Sequence, residues 1–253
     1  MTNPVEQASA STLDTPIWVI VPAAGSGQRL GGEIAKQYQI LDGVCMLKRS
    51  IDRLLDVPGV AGMVVVLASR DEHWVSLGSD ADSRVHTTVG GSTRAESVLA
   101  GINYVLKQTP AQTWLMVHDA ARPLVEVSDI QRLINVVYNN GAVGGLLATP
   151  VHDTLKKADD YATVVRTVER EKLWQAQTPQ LFRAGELQGA LSEAMRTHPD
   201  TITDEASAME YAGHQPQLVE ALQPNFKITR PVDWEMAHAL LKIRRLSGES
   251  SLA

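Results

Sequence analysis

A run of small residues ending in cations is the stretch of this sequence whose residue types and spacing best suit chemistry. It extends from Val21 to Gly32, reads Val-Pro-Ala-Ala-Gly-Ser-Gly-Gln-Arg-Leu-Gly-Gly, contains Arg29 and is followed by Lys36. Small residues let backbone N–H groups close on a ligand, and successive amides form a concavity that binds anions. Together with the two cations, the stretch predicts a loop that binds a polyphosphate.

Two other interpretations of the glycines compete with this one. An ordinary tight turn would explain the small residues but gives no role to the cations. A dinucleotide-binding fingerprint would place its third glycine at position 30, where the chain has Leu30. It would also need an acidic residue after a second strand, about 20 residues on, and none stands in the expected place. The polyphosphate interpretation is therefore favoured.

Arg94 is predicted within the first turn of a helix, which the apolar spacing from Ala95 to Leu106 indicates. A cation at that position opposes the helix dipole, so a sequence that served stability alone would favour Asp or Glu there. The position of Arg94 therefore predicts a ligand or a buried partner for its guanidinium.

Several other polar residues have both a structural and a functional interpretation. Asp119 follows an apolar strand and precedes Arg122, so the two could pair locally or contact a ligand. His118 suits a structural role at least as well as a ligand role. Thr203 could N-cap a helix, contact a substrate hydroxyl, or do both. Lys227, predicted close to a strand end between apolar neighbours, is either an edge-strand lysine or a phosphate ligand.

The motifs around these residues occur together in a known family. In chain order they are Pro22-Ala23-Ala24-Gly25-x-Gly27-x-Arg29 with Lys36-Gln37, Gly90-Gly91-x-x-Arg94-x-x-Ser97, Val117-His118-Asp119-Ala120-Ala121-Arg122-Pro123, Thr178-Pro179-Gln180, Thr203-Asp204-Glu205 and Lys227-x-Thr229-x-Pro231. The set resembles the 2-C-methyl-D-erythritol 4-phosphate cytidylyltransferases, nucleotidyltransferases of the non-mevalonate isoprenoid pathway. The matches run in order from about residue 16 to about residue 240, which is most of the chain.

The resemblance implies an enzyme that transfers CMP from CTP to 2-C-methyl-D-erythritol 4-phosphate and releases pyrophosphate. It implies Mg²⁺ or another divalent cation as cofactor, held mainly by the triphosphate, with Asp119 nearby and no certain protein ligand. Such a transfer asks little covalent work of side chains. A phosphate monoester has a second pKa of about 6, so the acceptor is largely dianionic at neutral pH and needs no general base.

Residue by residue, the resemblance assigns three roles. The catalytic candidates are Arg29, Lys36 and Lys227. The nucleotide-binding candidates are Pro22, Ala23, Ala24, Gly25, Ser26, Gly27, Gly91, Arg94, Ser97, Asp119 and Ala120. The candidates for binding the acceptor are Asp119, Arg122, Thr154, Arg170, Thr178, Thr203 and Lys227. In the family the glycine pair and the serine contact cytosine, which points to Gly91 and Ser97. Close relatives often carry an acidic residue where this chain has Ser92, so a base contact there stays open.

Two rival functions remain beside this one. A cytidylyltransferase for another polyol phosphate, such as ribitol 5-phosphate, would share most of these motifs. A non-catalytic module that binds CTP belongs to a different class. The presence of both Arg29 and Lys36 argues against such a module, because it needs affinity but no charge stabilisation peculiar to a transition state.

Strands that alternate with helices must position these residues. The predicted strands are Ile17–Val21, Val60–Leu67, Arg84–Val89, Trp114–Val117, Ala142–Ala148 and Gln217–Glu220. The first predicted helix has an apolar face of Leu47, Ile51, Leu54 and Leu55 and ends near Val57-Pro58-Gly59. The other predicted helices are a short one from Asp71 to Leu77, one capped by Thr93 and Glu96, one opened by Ser128, Ala184–Met195, Asp204–Tyr211 and one opened by Pro231. This order predicts an α/β fold with a mainly parallel, Rossmann-like sheet and helices on both faces. Ligands of such sheets lie beyond the carboxyl ends of the strands.

The predicted organisation is one nucleotidyltransferase domain at residues 16–245. Residues 1–15 are small and polar and predict a disordered leader, and residues 246–253 predict a C-terminal tail. Two strand-like runs within about residues 150–170 predict a projecting hairpin arm.

The arm predicts a homodimer. An isolated hairpin is marginal in water, and apolar residues such as Leu155 and Val164 give this one too much apolar surface to leave exposed. A two-fold dimer in which each arm embraces the other subunit would cover it. Arg170, at the base of the arm, would then serve the partner's acceptor site while Lys36 serves its own chain.

Composition narrows the class of protein. The 23 Lys and Arg residues against 29 Asp and Glu give a net charge of −6, which argues against a nucleic-acid binder. No apolar run approaches the length of a membrane span, and the start of the chain lacks the pattern of a signal peptide. The single cysteine, Cys45, is predicted to be a buried thiol. These features predict a cytoplasmic enzyme without a membrane partner.

Overall fold

The computed structural model describes residues 16–25 and 34–247. In this part of the chain the strands are β1 (Ile17–Pro22), β2 (Ile40–Leu41), β3 (Val44–Cys45), β4 (Val60–Leu67), β5 (Val85–Val89), β6 (Trp114–Val117), β7 (Gly144–Pro150), β8 (Leu155–Ala158), β9 (Val164–Val168), β10 (Trp174–Arg183) and β11 (Gln217–Glu220). The α-helices are α1 (Met46–Leu55), α2 (Arg94–Leu106), α3 (Val127–Asn139), α4 (Ala184–Thr197), α5 (Glu205–Tyr211) and α6 (Pro231–Leu246).

Seven of the described strands form the central sheet, in the order β11-β7-β10-β6-β1-β4-β5. All neighbouring pairs are parallel except those of β10, which runs antiparallel to both β6 and β7. The predicted α/β fold with a mainly parallel sheet is confirmed.

β10 is a central strand that the sequence interpretation missed. It contains Pro179, and a proline argues against a central strand because it cannot donate to the ladder. Its pairing with β7 shifts register between Ala176 and Gln180, so the proline stands where the ladder is interrupted.

The two faces of the sheet carry separate apolar cores. Successive side chains of a strand point to opposite faces, and in β1 Val19 and Val21 belong to one core while Trp18 and Ile20 belong to the other. Helices α1 and α3 cover the first face, and α2, α4 and α5 cover the second. The predicted helices on both faces are confirmed.

Helix α6 closes a third, smaller cluster. Ala237 and Leu241 are buried there beside Leu41 and Ile228, and Trp234 packs against the same cluster. These three residues form the inward face of α6. None of the helices within residues 16–25 and 34–247 combines the length and apolarity that a membrane crossing requires.

Three local predictions were wrong. Helix α3 begins at Val127 with Glu126 as its N-cap residue, so Ser128 does not open it. Asp204, rather than Thr203, caps α5, because the Asp204 carboxylate accepts from the backbone N–H of Ser207. Lys227 does not lie close to a strand end, since the segment between β11 and α6 contains no strand.

Strands β8 and β9 pair antiparallel in a two-stranded sheet of their own. Three apolar side chains of this hairpin are exposed: Tyr161 is 89% exposed, and Val164 and Val165 are each 59% exposed, whereas Leu155 and Val168 are half-buried. That the hairpin reaches a second subunit stays a prediction. The predicted leader at residues 1–15 lies outside the described residues, as does the tail beyond Ser247.

Candidate active site

A cavity of ≈ 540 Å³ opens where the carboxyl ends of β1 and β6 meet the start of α2. Most of the predicted catalytic and nucleotide-binding residues line it: Pro22, Ala23, Ala24, Gly25, Lys36, Gly91, Arg94, Ser97, Asp119, Ala120 and Lys227. Residues of the phosphate loop, Gly91 and Asp119 therefore meet at this edge of the sheet. Arg29, Ser26 and Gly27 lie outside the described residues.

Gln37 ties the phosphate loop to the segment that carries Lys36. Its side chain is buried, and Nε2 donates to the carbonyl oxygens of Ala23 at 2.8 Å and Gly25 at 3.0 Å. Both amide hydrogens of Gln37 are thereby used. Because Gln37 and Lys36 share one 3₁₀ turn, the contact also fixes the backbone from which the Lys36 side chain departs.

Gly90 and Gly91 let neighbouring segments approach more closely than any side chain would permit. A Cβ atom added at Gly90 would lie 2.6 Å from Oγ of Ser97 and 2.8 Å from Cβ of Ala24. One added at Gly91 would lie 2.4 Å from Cβ of Glu96. Both positions therefore require glycine to keep α2 close to the phosphate loop.

The start of α2 is held by the predicted capping box. Oγ1 of Thr93 accepts from the backbone N–H of Glu96 at 3.1 Å, and the Glu96 carboxylate accepts from that of Thr93 at 3.0 Å. The same carboxylate also accepts from the hydroxyl and the backbone N–H of Ser92. Ser97 is buried and donates to the carbonyl oxygen of Thr93 at 2.9 Å. The hydroxyls that face the cavity are therefore fixed by bonds within the chain.

Four charged side chains form a continuous ion chain along one wall of the cavity. The two terminal nitrogens of Arg94 contact the two carboxylate oxygens of Glu205 at 2.6 and 3.0 Å. Nε of Arg94 donates to Oδ1 of Asp119 at 2.9 Å. Nζ of Lys227 lies 2.8 Å from Oδ2 of the same Asp119. Arg94 thus has the buried partners that its position in the first turn of α2 predicts.

The ion chain sets the charge states of its members. Burial alone would raise the pKa of Asp119, but Arg94 and Lys227 outweigh it, and the pKa lies well below its usual range. Burial alone would lower the pKa of Arg94, but the carboxylates of Glu205 and Asp119 outweigh it, and the pKa is raised. Asp119 is therefore a carboxylate and Arg94 a cation throughout the physiological pH range.

His118 is buried behind Asp119 and is structural. Its Nε2 lies 3.1 Å from the carbonyl oxygen of Arg122, which can only accept, so Nε2 carries the hydrogen. Burial lowers the pKa of His118 to about 4, so the ring is neutral at pH 7 and Nδ1 is an acceptor. Oγ1 of Thr178 accepts from the backbone N–H of Asp119 at 3.0 Å and donates to that Nδ1 at 3.2 Å.

Arg122 and Thr178 lie behind the cavity wall. The backbone N–H of Arg122 closes a turn onto the carbonyl of Asp119, but its guanidinium Nη1 donates to the carbonyl of Asn225 at 2.7 Å. Burial lowers the pKa of Arg122, and its Nε is buried without a hydrogen-bond partner in the described structure. Thr178 is buried at 4% exposure. A contact of either residue with the acceptor stays a prediction.

The remaining acceptor candidates are exposed and lie away from the cavity lining. Thr154 and Arg170 flank the hairpin of β8 and β9, and a guanidinium nitrogen of Arg170 donates to the carbonyl of His152. Thr203 is exposed at the start of the turn into α5. The structure thus brings the donor-site candidates together but not these three.

Glu205, Gln37 and Gln180 belong to the site's supporting contacts, and the sequence interpretation gave none of them a role. All three stand in the recognised motifs, within two positions of a residue that received a role. Their partners are far away in the chain, for instance 111 residues between Arg94 and Glu205. The signal that could have found Glu205 was the expected buried partner of Arg94.

The residues of the cavity fit a divalent cation that is bound mainly by a ligand's phosphates. Within the described residues there is no group of three or more His, Cys, Asp or Glu side chains that could hold a metal by themselves. Mg²⁺ is commonly bound through one or two carboxylates together with substrate phosphates. Asp119 supplies one ionised carboxylate to the cavity lining.

A sequence model of the family "IspD: 2-C-methyl-D-erythritol 4-phosphate cytidylyltransferase" matches residues 17–243. The chain belongs to this family. The match spans every described strand of the central sheet, so the family's cytidylyltransferase fold and the cavity described above coincide in one part of the chain.

Several proteins of the family are similar over most of the chain. The 2-C-methyl-D-erythritol 4-phosphate cytidylyltransferase of Ectopseudomonas mendocina is 47% identical over 223 residues, which cover 87% of this chain and 94% of that protein. The protein of the same name from Pseudomonas putida is 44% identical over 219 residues, 86% of this chain and 92% of that one.

Solved structures agree with the fold. The chain is similar to a 4-diphosphocytidyl-2C-methyl-D-erythritol synthase, with a TM-score of 0.77 and 35% sequence identity. The match covers 90% of this chain and 100% of that one. It is similar to the Francisella tularensis 2-C-methyl-D-erythritol 4-phosphate cytidylyltransferase, with a TM-score of 0.77 at 33% identity over 89% of this chain and 99% of that one.

Proposed function

We propose that this chain transfers CMP from CTP to 2-C-methyl-D-erythritol 4-phosphate, releasing pyrophosphate and forming the CDP-polyol of the non-mevalonate isoprenoid pathway. The observation that carries the proposal is the convergence of Lys36, Arg94, Asp119 and Lys227 on one cavity beside the glycine-rich loop, in a chain of this family. An enzyme that draws on the cell's CTP would work in the cytoplasm. Its partners are the two substrates, with no nucleic acid and no membrane.

In the proposed reaction a phosphate oxygen of the acceptor attacks the α-phosphorus of CTP. The new P–O bond forms as the bond to the bridging oxygen of pyrophosphate breaks, and the electron pair leaves with pyrophosphate. No proton is transferred, because the attacking phosphate is already dianionic. The enzyme's task is therefore to position the two substrates and to stabilise negative charge.

Lys36 and Lys227 supply cations to the described cavity, and Arg29 belongs to the loop that contributes to it. We assign Lys36 and Arg29 to the triphosphate and the charge that grows on it, and Lys227 to the acceptor phosphate. Lys227 is held by Asp119 at 2.8 Å, so its ammonium is fixed before a substrate arrives. Preorganised charge of this kind costs no reorganisation during the reaction.

We infer that Mg²⁺ is the cofactor, held by the triphosphate with Asp119 as the protein group beside it. The bound ion would neutralise charge on the triphosphate. Asp119 is suited to this position because Arg94 and Lys227 keep its carboxylate ionised and each contacts only one of its two oxygens. A carboxylate oxygen can accept more than one contact. Asp119 and Ala120 would also border the nucleotide's ribose.

Cytosine selectivity is assigned to Gly91 and Ser97 at the start of α2. Both line the cavity, and the capping box and the Ser97–Thr93 bond hold them in fixed positions. A site built from fixed polar groups rejects a base that leaves those groups unpaired.

The acceptor site is proposed to be completed by a second subunit. Thr154 and Arg170 adjoin a hairpin whose apolar side chains are exposed, and they do not line this chain's own cavity. In a two-fold dimer each hairpin would deliver them to the partner's cavity. Arg122, Thr178 and Thr203 stay proposed contacts to the acceptor within the chain.

Pyrophosphate release from CTP, with each polyol phosphate offered separately, tests the proposed function. We expect release with 2-C-methyl-D-erythritol 4-phosphate and Mg²⁺, and much less with ribitol 5-phosphate. A preference for ribitol 5-phosphate would identify the rival transferase. CTP binding without release, with every acceptor, would indicate a non-catalytic module.

A further inference from the structure

Glu205 contacts the cavity wall from behind. Its side chain is 1% exposed and does not line the cavity, yet it makes two of the three contacts that anchor the guanidinium of Arg94. The third contact, from Nε of Arg94, goes to Asp119. The hydrogen bonds of Glu205 therefore reach the cavity through Arg94.

The contact between Glu205 and Arg94 fixes an orientation as well as a charge. A guanidinium is planar, and two parallel bonds to one carboxylate define both its plane and its rotation in that plane. With the plane of Arg94 set, the direction of its Nε–H bond is set too. That bond meets Oδ1 of Asp119 at 2.9 Å, so Glu205, together with the contacts from Lys227 and Thr178, helps to set the orientation of the Asp119 carboxylate.

Glu205 is in turn held by the central sheet. It is the first residue of α5, and Gln180 of strand β10 contacts the residues on either side of it. Nε2 of Gln180 donates to the carboxylate of Asp204 at 2.8 Å, and its Oε1 accepts from the backbone N–H of Ala206 at 2.7 Å. Gln180 is 1% exposed. A continuous set of buried bonds thus runs from β10 through α5 to Arg94.

We propose that Glu205 is a positioning residue for the donor nucleotide site, acting through Arg94 to orient Asp119. This inference rests on the proposed function and adds a residue that no substrate touches. It also explains why an arginine stands in the first turn of α2, where the helix dipole disfavours a cation. The buried carboxylate of Glu205 compensates the cation there.

The variant Glu205→Gln tests the proposal. It keeps the side chain's size but places an amide NH₂ group opposite one Arg94 nitrogen, so one of the two bonds is lost. We expect kcat/KM for CTP to fall about 100-fold, the size of effect that a misplacement of about 1 Å can produce. Glu205→Asp keeps the charge on a shorter side chain and should recover part of the loss.

A double-mutant cycle with Arg94→Met separates positioning from general stability. If Glu205 acts through Arg94, the double variant should be no slower than Arg94→Met alone. Multiplying losses in the double variant would overturn the proposal, because Glu205 would then act by another route. The assays should be run at a temperature well below the midpoint of each variant's thermal unfolding, which circular dichroism measures.

Asp129→Asn is the matched control. Asp129 is also a carboxylate with 1% side-chain exposure, paired with Arg132 at 3.1 Å and accepting from the backbone N–H groups of Leu222 and Gln223. It does not line the cavity. This variant should lose stability but keep wild-type kcat/KM. Should Glu205→Gln fail to fold, Glu205→Asp replaces it in the cycle, and wild-type kcat/KM in a folded Glu205→Asp would contradict the proposal.

CTP binding by calorimetry distinguishes this inference from the proposed function. If the wild type releases no pyrophosphate, the proposed function has failed, but the inference still predicts that Glu205→Gln weakens CTP binding and that Arg94→Met weakens it at least as much. Wild-type CTP affinity in a folded Glu205→Gln, combined with wild-type kcat/KM, would overturn the inference alone.

Discussion

The cavity wall and the β8–β9 hairpin differ in whether their side chains find partners within one chain. In the wall, Arg94, Asp119 and Lys227 all find partners within the chain, and Asp119 is 7% exposed. In the hairpin, apolar side chains such as Val164 and Tyr161 are left exposed. Paired charges make the wall ready for its ligand, whereas the hairpin presents surface that a partner would have to cover.

This difference between the cavity wall and the hairpin suggests that the two substrates are bound in different ways. A donor site built from buried, paired groups is preorganised, so its residues should act within their own chain. We infer that the acceptor site is the shared one, because two of its candidate residues adjoin the exposed hairpin. Variants in the two regions should therefore change different kinetic parameters.

Among the variants that compare the two regions, Lys36→Ala should give the largest effect. A cation about 4 Å from a phosphate oxygen gains roughly 4 kcal/mol at an effective dielectric constant near 20, before desolvation. Losing half of that would slow the reaction about 30-fold. We expect kcat to fall at least this far while CTP affinity changes little, since the lysine acts on charge that grows in the transition state. Lys48→Ala, which removes an α1 lysine paired with Asp52, is the control. Unchanged turnover at saturating substrate would remove Lys36 from the mechanism.

Arg170→Ala should show the opposite pattern. Removing a charged donor to a phosphate costs about 1.5 to 3 kcal/mol, so KM for the acceptor should rise about tenfold or more. KM for CTP should stay at the wild-type value, because the donor cavity does not include Arg170. Steady-state kinetics with each substrate varied in turn checks this. A rise in KM for CTP alone would break the division between the two regions.

Gly91→Ala should lower base selectivity. A Cβ atom at this position would lie 2.4 Å from that of Glu96, so the start of α2 must shift away from the cavity. We expect the ratio of kcat/KM for CTP over UTP to fall about fivefold, equivalent to about 1 kcal/mol. If the wild type itself used UTP as efficiently as CTP, the assignment of Gly91 and Ser97 to cytosine would be wrong.

His118 should make stability depend on pH without affecting the chemistry. Its pKa is about 4 in the folded protein, against about 6.5 when unfolded, so the unfolded chain binds more protons between these values. The histidine's contribution is therefore complete above pH 6.5 and is lost as the pH falls towards 4, by up to roughly 3 kcal/mol. Urea unfolding of the wild type and His118→Gln at pH 7 and pH 5 should show a shallower pH dependence in the variant. If stability changed equally with pH in the wild type and the variant, His118 would not be a buried neutral ring. His214→Gln, which replaces an exposed histidine, is the control.

Local sequence patterns predicted the elements whose signals are local. The capping box of Thr93 and Glu96 and the strands Val60–Leu67 and Trp114–Val117 match the structure. Strand β10 was missed because its pairing depends on β6 and β7, which are distant in the chain, and because Pro179 interrupts it.

The candidate site could also be predicted only in part. Motifs located the residues that face the cavity, since their types carry the chemistry. They did not locate Glu205 or Gln37, whose function lies only in contacts to other residues. The role of Arg94 was partly predictable, because a cation at the start of a helix requires compensation, but its two partners became evident only in three dimensions.

Complementation between the two regions tests the shared site most directly. Lys36→Ala and Arg170→Ala are unfolded together and refolded as a mixture. Pyrophosphate release is measured with the acceptor well below its wild-type KM, where the raised KM of Arg170→Ala makes that variant slow. In a mixed dimer one site carries both changes and the other carries neither, and random pairing makes about half of the dimers mixed. We predict that roughly a quarter of wild-type activity returns, while each variant refolded alone stays at its own low level. No recovery, despite demonstrated exchange of subunits, would mean that Lys36 and Arg170 serve the same chain's site and would contradict the shared acceptor site.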